Sequence, residues 1–191
     1  IVCGNSKKEM RVMFCEQYPG ELDRKAADAF LDRCSDSPDW HSGVTHQEDM
    51  ENKLTIRSKL FVSEDDDFVK QVIDLATQKL DRDLVMVDGY LNIYPVLHHG
   101  TKHQDLMCDV VALVYLHRPW EPEHEGYTVF FSEDDWNYQV DAGMPYSMNM
   151  AIFDGRIPHM ATPFTEKAQF DRITLALKLR YANRIAGDRI F

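Results

Sequence analysis

The chain has 191 residues, 44% hydrophobic and 28% charged, which suits one globular unit with a sizeable core. Its 32 acidic residues outnumber 21 basic ones, giving a net charge of −11, and the basic residues are not clustered. Phosphate backbones repel such a chain, so we expect no nucleic-acid partner. No run reaches the roughly 18 apolar residues of a membrane-spanning helix, so we expect no membrane partner.

The four cysteines are scattered along the chain, and no C-x-x-C pair occurs. This spacing favours a reducing compartment over a disulfide scaffold or a zinc ribbon. The first ten residues, IVCGNSKKEM, lack the charged-then-apolar pattern of a signal peptide. We therefore expect a cytoplasmic protein.

The N-terminal part, residues 1–83, contains two segments with helical periodicity. The first covers residues 21–34, and the second begins at Ser63 with a run of acids that favours a helix N-terminus. Residues 34–52 between them are polar and contain Pro and Gly, as is typical of a loop. Residues 54–62, LTIRSKLFV, alternate like a strand. We expect this part to supply helical support and a lead-in strand.

From residue 84 onwards the sequence changes to short runs of β-branched and aromatic residues separated by turn-forming loops. Helices followed by at least five strands predict a β-sandwich or barrel buttressed by helices on one side. The absence of βαβ alternation and of glycine-rich phosphate loops argues against a nucleotide-binding fold. The predicted strands are LVMVDGYLNIYPV (84–96), VVALVYLH (110–117), YTVFF (127–131), YSMNMAIFDG (146–155) and RITLALKLRY (172–181).

Two histidines are followed at two-residue spacing by an acid, about the number that chance predicts for a chain with eight histidines. His46 and Glu48 lie in the predicted loop. His103 and Asp105 lie on the approach to the strand at 110–117, where this spacing on extended chain points both side chains to one face. That geometry suits two ligands of one metal. The alternative is a solvated loop that merely precedes a strand.

Two further polar residues lie downstream. His159 follows a predicted strand and a glycine-containing turn, and Arg172 opens an apolar strand 13 residues later. An arginine buried there is costly unless it meets an anion. Thr174 faces the same side of the strand and adds a hydroxyl. The alternative is an edge-strand arginine paired with Asp171 or another nearby acid.

In this order, H-x-D, a strand-rich interval, a second histidine and Arg-x-Thr resemble the iron(II)/2-oxoglutarate-dependent dioxygenases, and most closely their prolyl-4-hydroxylase-like branch. The resemblance covers residues 84–181, and Arg57-Ser58 resemble part of the lead-in strand. It implies a mainly β fold with supporting helices, the double-stranded β-helix (a cupin-like jelly roll). We expect one dioxygenase domain over 1–191, with the metal site in the 84–181 core.

The resemblance makes His103, Asp105 and His159 the metal ligands and the catalytic triad. Two imidazoles and one carboxylate on one face of Fe(II) leave three coordination positions for substrates. In the family, 2-oxoglutarate takes two of these positions and O2 takes the third. The carboxylate of Asp105 argues against halogenation, because halogenating members of the family lack it.

The resemblance also assigns the co-substrate contacts. Arg172 binds the distal carboxylate of 2-oxoglutarate, since a guanidinium pairs with a carboxylate through two hydrogen bonds. Thr174 is a second donor, and Tyr94 resembles a tyrosine that often bonds the same carboxylate. For Tyr94, a core tyrosine with a satisfied hydroxyl is the alternative. His98 and His99 have no counterpart among the ligands, and we expect them at the rim of the site.

The implied reaction hydroxylates an unactivated C–H bond while 2-oxoglutarate is oxidised to succinate and CO2, with ascorbate as a further candidate cofactor. We expect the substrate to be an amino-acid side chain, free or in a peptide, and the acidic surface favours a neutral or cationic one. Three alternatives stay open. They are an oxygenase acting on another small metabolite, a cupin-like metal protein that does not use 2-oxoglutarate, and a jelly-roll binding module without catalysis.

Two positions depart from the family pattern. His117 stands where the family often has asparagine after Tyr-Leu, and Gly126 stands where it usually has two glycines. Both departures leave the substrate subgroup open. The long acidic and aromatic segment at 117–147 carries Trp120 and Trp136, which we expect to pack as a cover on the sheet rather than to close over a substrate.

Overall fold

The computed structural model describes residues 15–42 and 58–183, apart from positions 118 and 133, and the structural statements below refer to that part of the chain. Two helices are present, α1 (Arg24–Ser35) and α2 (Asp67–Leu80), with single 3-10 turns at Pro122–His124 and Glu166–Ala168. The strands are β1 (Cys15–Pro19), β2 (His41–Ser42), β3 (Ser58–Phe61), β4 (Leu84–Tyr94), β5 (Val110–Tyr115), β6 (Thr128–Phe131), β7 (Gln139–Gly143), β8 (Asn149–Asp154), β9 (His159–Ala161) and β10 (Arg172–Tyr181).

These strands form two antiparallel sheets. The larger has seven strands in the order β1-β8-β5-β10-β4-β3-β2, and the smaller has three in the order β7-β6-β9. Strand β10 lies inside the larger sheet, paired with β4 on one side and β5 on the other. The predicted fold class, mainly β with supporting helices in a jelly roll, is confirmed.

The larger sheet separates two parts of the core. Its strand β5 is apolar throughout and buried on both faces, as expected for a central strand covered on each side. Val110, Ala112 and Val114 pack in one cluster with the helices, through residues such as Phe30, Phe68 and Val72. Val111, Leu113 and Tyr115 belong to a second cluster with Phe130 of the smaller sheet. The helices therefore cover one face, and the other face is left for a cavity between the sheets.

Both predicted helices are present, and each begins after an aspartate whose side chain caps it. Helix α1 begins after Asp23, whose carboxylate accepts a hydrogen bond from the Lys25 N–H at 2.8 Å. Helix α2 begins later than the predicted start at Ser63, because the Asp66 carboxylate accepts from the N–H groups of the first helical turn. Ser63 caps only the preceding turn, where its hydroxyl accepts from the Asp65 N–H at 3.1 Å.

The five predicted strands are present, and the structure adds β1, β2, β7 and β9. These four strands have two to five residues, and all four lie at sheet edges, so their sequences lack the buried apolar run of a central strand. Strand β2 falls within the predicted loop at 34–52. Positions 46, 48 and 57, singled out above, lie outside the described residues. No described helix is long and apolar enough to cross a membrane.

Candidate active site

Two of the predicted ligands are joined through their backbones. His103, in the connection between β4 and β5, donates its N–H to the His159 carbonyl at 3.0 Å and accepts the His159 N–H at 2.9 Å. His159 opens β9, so this bridge ties the connection to the edge of the smaller sheet. The two imidazole rings lie with their centroids 4.4 Å apart. The pairing fixes the relative position of two side chains that are 56 residues apart in sequence.

Each imidazole is oriented by a carbonyl two residues earlier. The Nδ1 of His103 lies 2.9 Å from the Thr101 oxygen, and the Nδ1 of His159 lies 2.8 Å from the Ile157 oxygen. Because a carbonyl only accepts, each Nδ1 carries the proton and each Nε2 keeps a lone pair. The Asp105 oxygens lie 3.8 Å from Nε2 of His103 and 3.4 Å from Nε2 of His159. All three ligand atoms lie within 4.8 Å of one another.

Asp105 is held by its backbone and by a buried lysine. Its N–H donates to the Gly155 carbonyl at 2.7 Å, and its own carbonyl accepts from the Cys108 N–H at 3.1 Å. A Cβ added at Gly155 would lie 2.8 Å from the Asp105 backbone oxygen, so the two segments are in close contact. The Lys178 ammonium donates to Oδ2 of the Asp105 side chain. The carboxylate is therefore fixed from two directions.

The protonation states of these groups suit metal binding. Burial and, to a smaller extent, the neighbouring His159 lower the pKa of His103 from 6.5 to about 4, against the opposing effect of Asp105. Burial alone would raise the pKa of Asp105, but the neighbouring His159 and the charge of Lys178 hold it well below its ordinary value. Burial would likewise lower the pKa of Lys178, and Tyr90 and Asp105 together outweigh it, so the pKa is raised.

This donor set fits a divalent transition metal. Two imidazole nitrogens and one carboxylate oxygen are the ligands of the facial triad found in non-haem iron sites. The carbonyls that accept from each Nδ1–H are the outer contacts that such histidine ligands normally have. A metal placed between the three side chains would meet the two Nε2 lone pairs, which the Nδ1 contacts leave available.

Arg172 is buried in the middle of the larger sheet, with 3% of its surface exposed. The Nε–H donates to the Gly126 carbonyl at 3.0 Å, and Nη2 donates to the Thr128 hydroxyl at 2.8 Å. Both acceptors are neutral, and no ion pair of Arg172 with an acid occurs within the described residues. The alternative of an edge-strand arginine paired with Asp171 is therefore wrong, because β10 is an internal strand. The guanidinium is oriented but its charge is not balanced.

Position 126 requires glycine, because its backbone is left-handed and a neighbouring ring leaves no space for a Cβ. Its φ is +80°, and a Cβ would lie 2.0 Å from the ring of Phe164. Since the Gly126 carbonyl accepts from Arg172, this glycine turn also orients the guanidinium. The single glycine that departs from the family pattern thus has a definite structural role.

The structure brings all six predicted site residues to one cavity of about 490 Å³. Arg172 and Tyr94 are register partners on adjacent strands, and the guanidinium carbon lies 5.8 Å from the Tyr94 ring centroid. Thr174 is buried two residues further along β10 and lines the same cavity. The six are the triad of His103, Asp105 and His159, together with Arg172, Thr174 and Tyr94.

The other singled-out residues lie away from the cluster of ligand atoms. The Nδ1 atoms of His98 and His99 lie 3.1 Å from local backbone carbonyls, and neither residue belongs to the three-residue cluster. Trp120 is buried, and its indole N–H donates to the Glu125 carbonyl at 2.6 Å. Trp136 is 38% exposed.

Sequence reasoning missed Lys178 and Tyr90, which also line the cavity. The Lys178 ammonium lies 5.4 Å from the Tyr90 ring centroid and contacts Asp105. A signal was present, because a lone lysine interrupts the apolar strand β10 at an even spacing from Arg172. On alternating chain this spacing places both cations on one face of the sheet.

Solved structures similar to this chain include two prolyl hydroxylases and a protein with bound nickel and 2-oxoglutarate. A prolyl-4-hydroxylase from Pseudomonas putida is 16% identical, with a TM-score of 0.65 over 89% of this chain and 94% of that one. A prolyl hydroxylase from Trichoplax adhaerens, in complex with a hypoxia inducible factor peptide fragment, is 14% identical, with a TM-score of 0.67 over 86% and 82%. HygX from Streptomyces hygroscopicus, with nickel and 2-oxoglutarate bound, is 13% identical, with a TM-score of 0.62 over 90% and 84%.

No family model matches the sequence, and no curated protein matches it. At these low identities the structural similarity concerns the fold, which extends over nearly the whole of each chain. The resemblance seen in the sequence is thereby confirmed at the level of the fold. The chain has the jelly-roll fold of the iron(II)/2-oxoglutarate oxygenases, prolyl hydroxylases among them.

Proposed function

We propose that the protein is an iron(II)- and 2-oxoglutarate-dependent oxygenase that hydroxylates an unactivated C–H bond. The observation that carries the proposal is the pairing of two sites in one cavity: the three-residue cluster His103, Asp105 and His159, and the buried guanidinium of Arg172. A metal protein that does not use 2-oxoglutarate has no need of the second site. The cupin-like alternative is therefore disfavoured.

In this proposal each side chain has a defined task. His103 and His159 bind iron through Nε2, and Asp105 binds it through one carboxylate oxygen. Iron supplies the activation of O2 that couples oxidative decarboxylation of 2-oxoglutarate to oxidation of the substrate. Arg172 and Thr174 hold the distal carboxylate of 2-oxoglutarate, and Tyr94 adds a hydroxyl to the same site. The buried walls around Arg172 exclude water from this end of the cavity.

The substrate we propose is an amino-acid side chain, free or in a peptide, and a different small metabolite is the alternative. The Trichoplax structure, which contains a peptide fragment, supports a substrate of this class. The cavity of about 490 Å³ has room for such a molecule beside the co-substrate. Ascorbate enters the proposal only as a candidate reductant that keeps the iron active.

Anaerobic titration with Fe(II) and 2-oxoglutarate tests the proposal directly. We expect a weak visible charge-transfer band in the wild type, and succinate formation when O2 is admitted. His103→Ala should abolish both signals, because it removes one ligand. His98→Ala is the matched control and should keep both, since His98 lies outside the cluster. Absence of the band in the wild type, or its persistence in His103→Ala, would show that the proposal is wrong.

A further inference from the structure

Lys178 places a second buried cation in the cavity. Residues 172, 174, 176 and 178 of β10 all line it, with Arg172 at one end of the row and Lys178 at the other. Six residues of strand separate their Cα atoms by about 20 Å. Only 9% of the Lys178 side chain is exposed. The two cations therefore serve different parts of the cavity.

The two ends of the cavity also differ in exposure. Arg172, Thr174 and Thr128 at one end are each at most 3% exposed, so that end is closed. At the other end the lining includes Leu106 and Met107, which are 57% and 77% exposed. A molecule entering from solvent passes these apolar side chains first. It then reaches the Lys178 ammonium beside Asp105.

The charges of the deep cavity do not balance once metal and co-substrate are bound. Arg172 and Lys178 contribute two positive charges and Asp105 contributes one negative charge, with both histidines neutral. A divalent metal and the 2-oxoglutarate dianion cancel each other, which leaves one positive charge. Lys59 and Asp88, which also line the cavity, carry opposite charges and leave the sum unchanged.

The surplus charge lies at Lys178. Its acidic contact within the described residues is Asp105, whose carboxylate is shared with the dication once the metal binds. A buried ammonium near a dication is costly unless another anion compensates it. An ammonium has three donors. Asp105 accepts one and the Tyr90 hydroxyl accepts another, so one donor is left for a ligand.

We propose that Lys178 binds a carboxylate of the prime substrate, so that the substrate is a small molecule with a free carboxylate, such as a free amino acid, rather than an internal residue of a peptide. This inference rests on the proposed function. It replaces the expectation of a neutral or cationic substrate, which the acidic surface had suggested, because the cavity has the opposite charge to the surface. The apolar side chains of Leu106 and Met107 would contact the rest of the molecule as it enters.

The test compares each acid with its own amide. A panel of amino acids and simple carboxylic acids, each with its carboxamide, is titrated calorimetrically into protein loaded with Ni(II) and 2-oxoglutarate, which does not turn over. We expect the preferred acid to bind at least about tenfold more tightly than its amide. In Lys178→Met this ratio should fall to about one, while affinity for 2-oxoglutarate stays within about twofold. Lys178→Arg should keep part of the preference.

Lys25→Met, which removes an exposed lysine on α1, is the matched control and should behave as the wild type. If no acid binds better than its amide, or if Lys178→Met keeps the preference, the inference is wrong. If Lys178→Met weakens 2-oxoglutarate as much as the acid, the lysine serves the co-substrate and the inference is also wrong. Failure of the wild type to bind metal and 2-oxoglutarate at all would instead overturn the proposed function. Thermal unfolding identifies a misfolded variant. If Lys178→Met is misfolded, the comparison of each acid with its amide in the wild type decides the inference.

Discussion

The guanidinium of Arg172 is oriented by two neutral acceptors, the Gly126 carbonyl and the Thr128 hydroxyl. Tyr115 donates its own hydroxyl to the same Thr128 oxygen at 2.7 Å, which fixes that acceptor in turn. A buried arginine whose contacts are all neutral keeps its full charge for an incoming anion. For this reason we assign the distal carboxylate of 2-oxoglutarate to Arg172.

Replacing Arg172 should separate co-substrate binding from metal binding. We expect Arg172→Gln to weaken 2-oxoglutarate by at least about thirtyfold, since loss of one partner of a buried charge pair costs 2 kcal/mol or more. Affinity for Ni(II) alone should stay within about threefold. Arg180→Gln, at the other end of β10, is the control. Equal loss of both affinities in Arg172→Gln would contradict the assignment.

His117 is a buried histidine that the metal site does not use. Burial lowers its pKa from 6.5 to about 4, although the Pro145 carbonyl, 2.7 Å from Nε2, opposes the shift. The ring packs edge-on against Phe164 and stacks on Phe170. The position that departs from the family pattern is therefore a neutral core residue that donates to a carbonyl.

This histidine should make the protein less stable in acid. Its pKa is lower in the folded state than in the unfolded state, so between pH 6.5 and 4 the unfolded chain binds the proton and the free energy of unfolding falls as pH falls. The lowered pKa corresponds to about 3 kcal/mol over that window. Urea unfolding of metal-free protein at pH 7.5 and 4.5 measures how far the free energy of unfolding falls between these pH values. We expect a smaller fall in His117→Gln than in the wild type. Equal falls in the two proteins would refute this account.

At the scale of elements, Asp66 has two roles. Its carboxylate accepts from the Phe68 N–H at 2.8 Å at the start of α2, and it forms an ion pair with Arg33 of α1 at 2.7 Å. The ion pair is partly exposed, so it contributes less than the cap. The link holds the two helices side by side on the larger sheet.

Substitutions at Asp66 should separate these roles. We expect Asp66→Ala to lower the free energy of unfolding by about 1–2 kcal/mol, because the cap is lost. Asp66→Asn keeps a capping oxygen and should cost less than about 1 kcal/mol. Asp65→Ala, at an exposed neighbouring position, should change stability by less than about 0.5 kcal/mol. Equal losses for Ala and Asn at Asp66, measured by chemical denaturation, would show that the ion pair dominates.

The connection that carries Asp105 depends on close contact with Gly155. A Cβ at position 155 would lie 2.8 Å and 2.9 Å from the backbone oxygens of Asp105 and Cys108, which cannot move aside as a flexible side chain can. Gly155→Ala should therefore displace the Asp105 segment and weaken Ni(II) binding by about tenfold, as loss of outer-shell support does. Unchanged Ni(II) affinity, measured by calorimetry on a folded variant, would contradict this role.

An element could be predicted from the sequence where its own residues determine it, and could not where distant pairing partners do. Strand β5 could be predicted, because its apolar sequence is typical of a central strand. Strand β9 could not, because it has three residues and forms only through pairing with His103 and β6. The triad could be named from the motif order. The pairing of Lys178 with Asp105 could not, because it depends on the register of β10 against strands distant in sequence.

At the scale of the whole molecule, the candidate metal site lies between the two sheets. His159 belongs to the smaller sheet, and Asp105 is bonded to Lys178 of the larger one. The connection between β4 and β5 carries His103 and Asp105, and its backbone pairs with β9. A metal held by the triad would therefore link parts of the chain that must separate on unfolding.

Metal and co-substrate should accordingly stabilise the entire fold. Ligands that bind only the folded state, each at about one hundred times Kd, add about 2.7 kcal/mol to the free energy of unfolding. For a chain of this size that corresponds to a rise in Tm of about 5–10 °C. Ni(II) should raise Tm in the wild type, and 2-oxoglutarate should raise it further. His103→Ala should lose both increments, whereas Arg172→Gln should lose only the second. EDTA should reverse the rise, and an equal rise in His103→Ala would mean that the metal binds elsewhere.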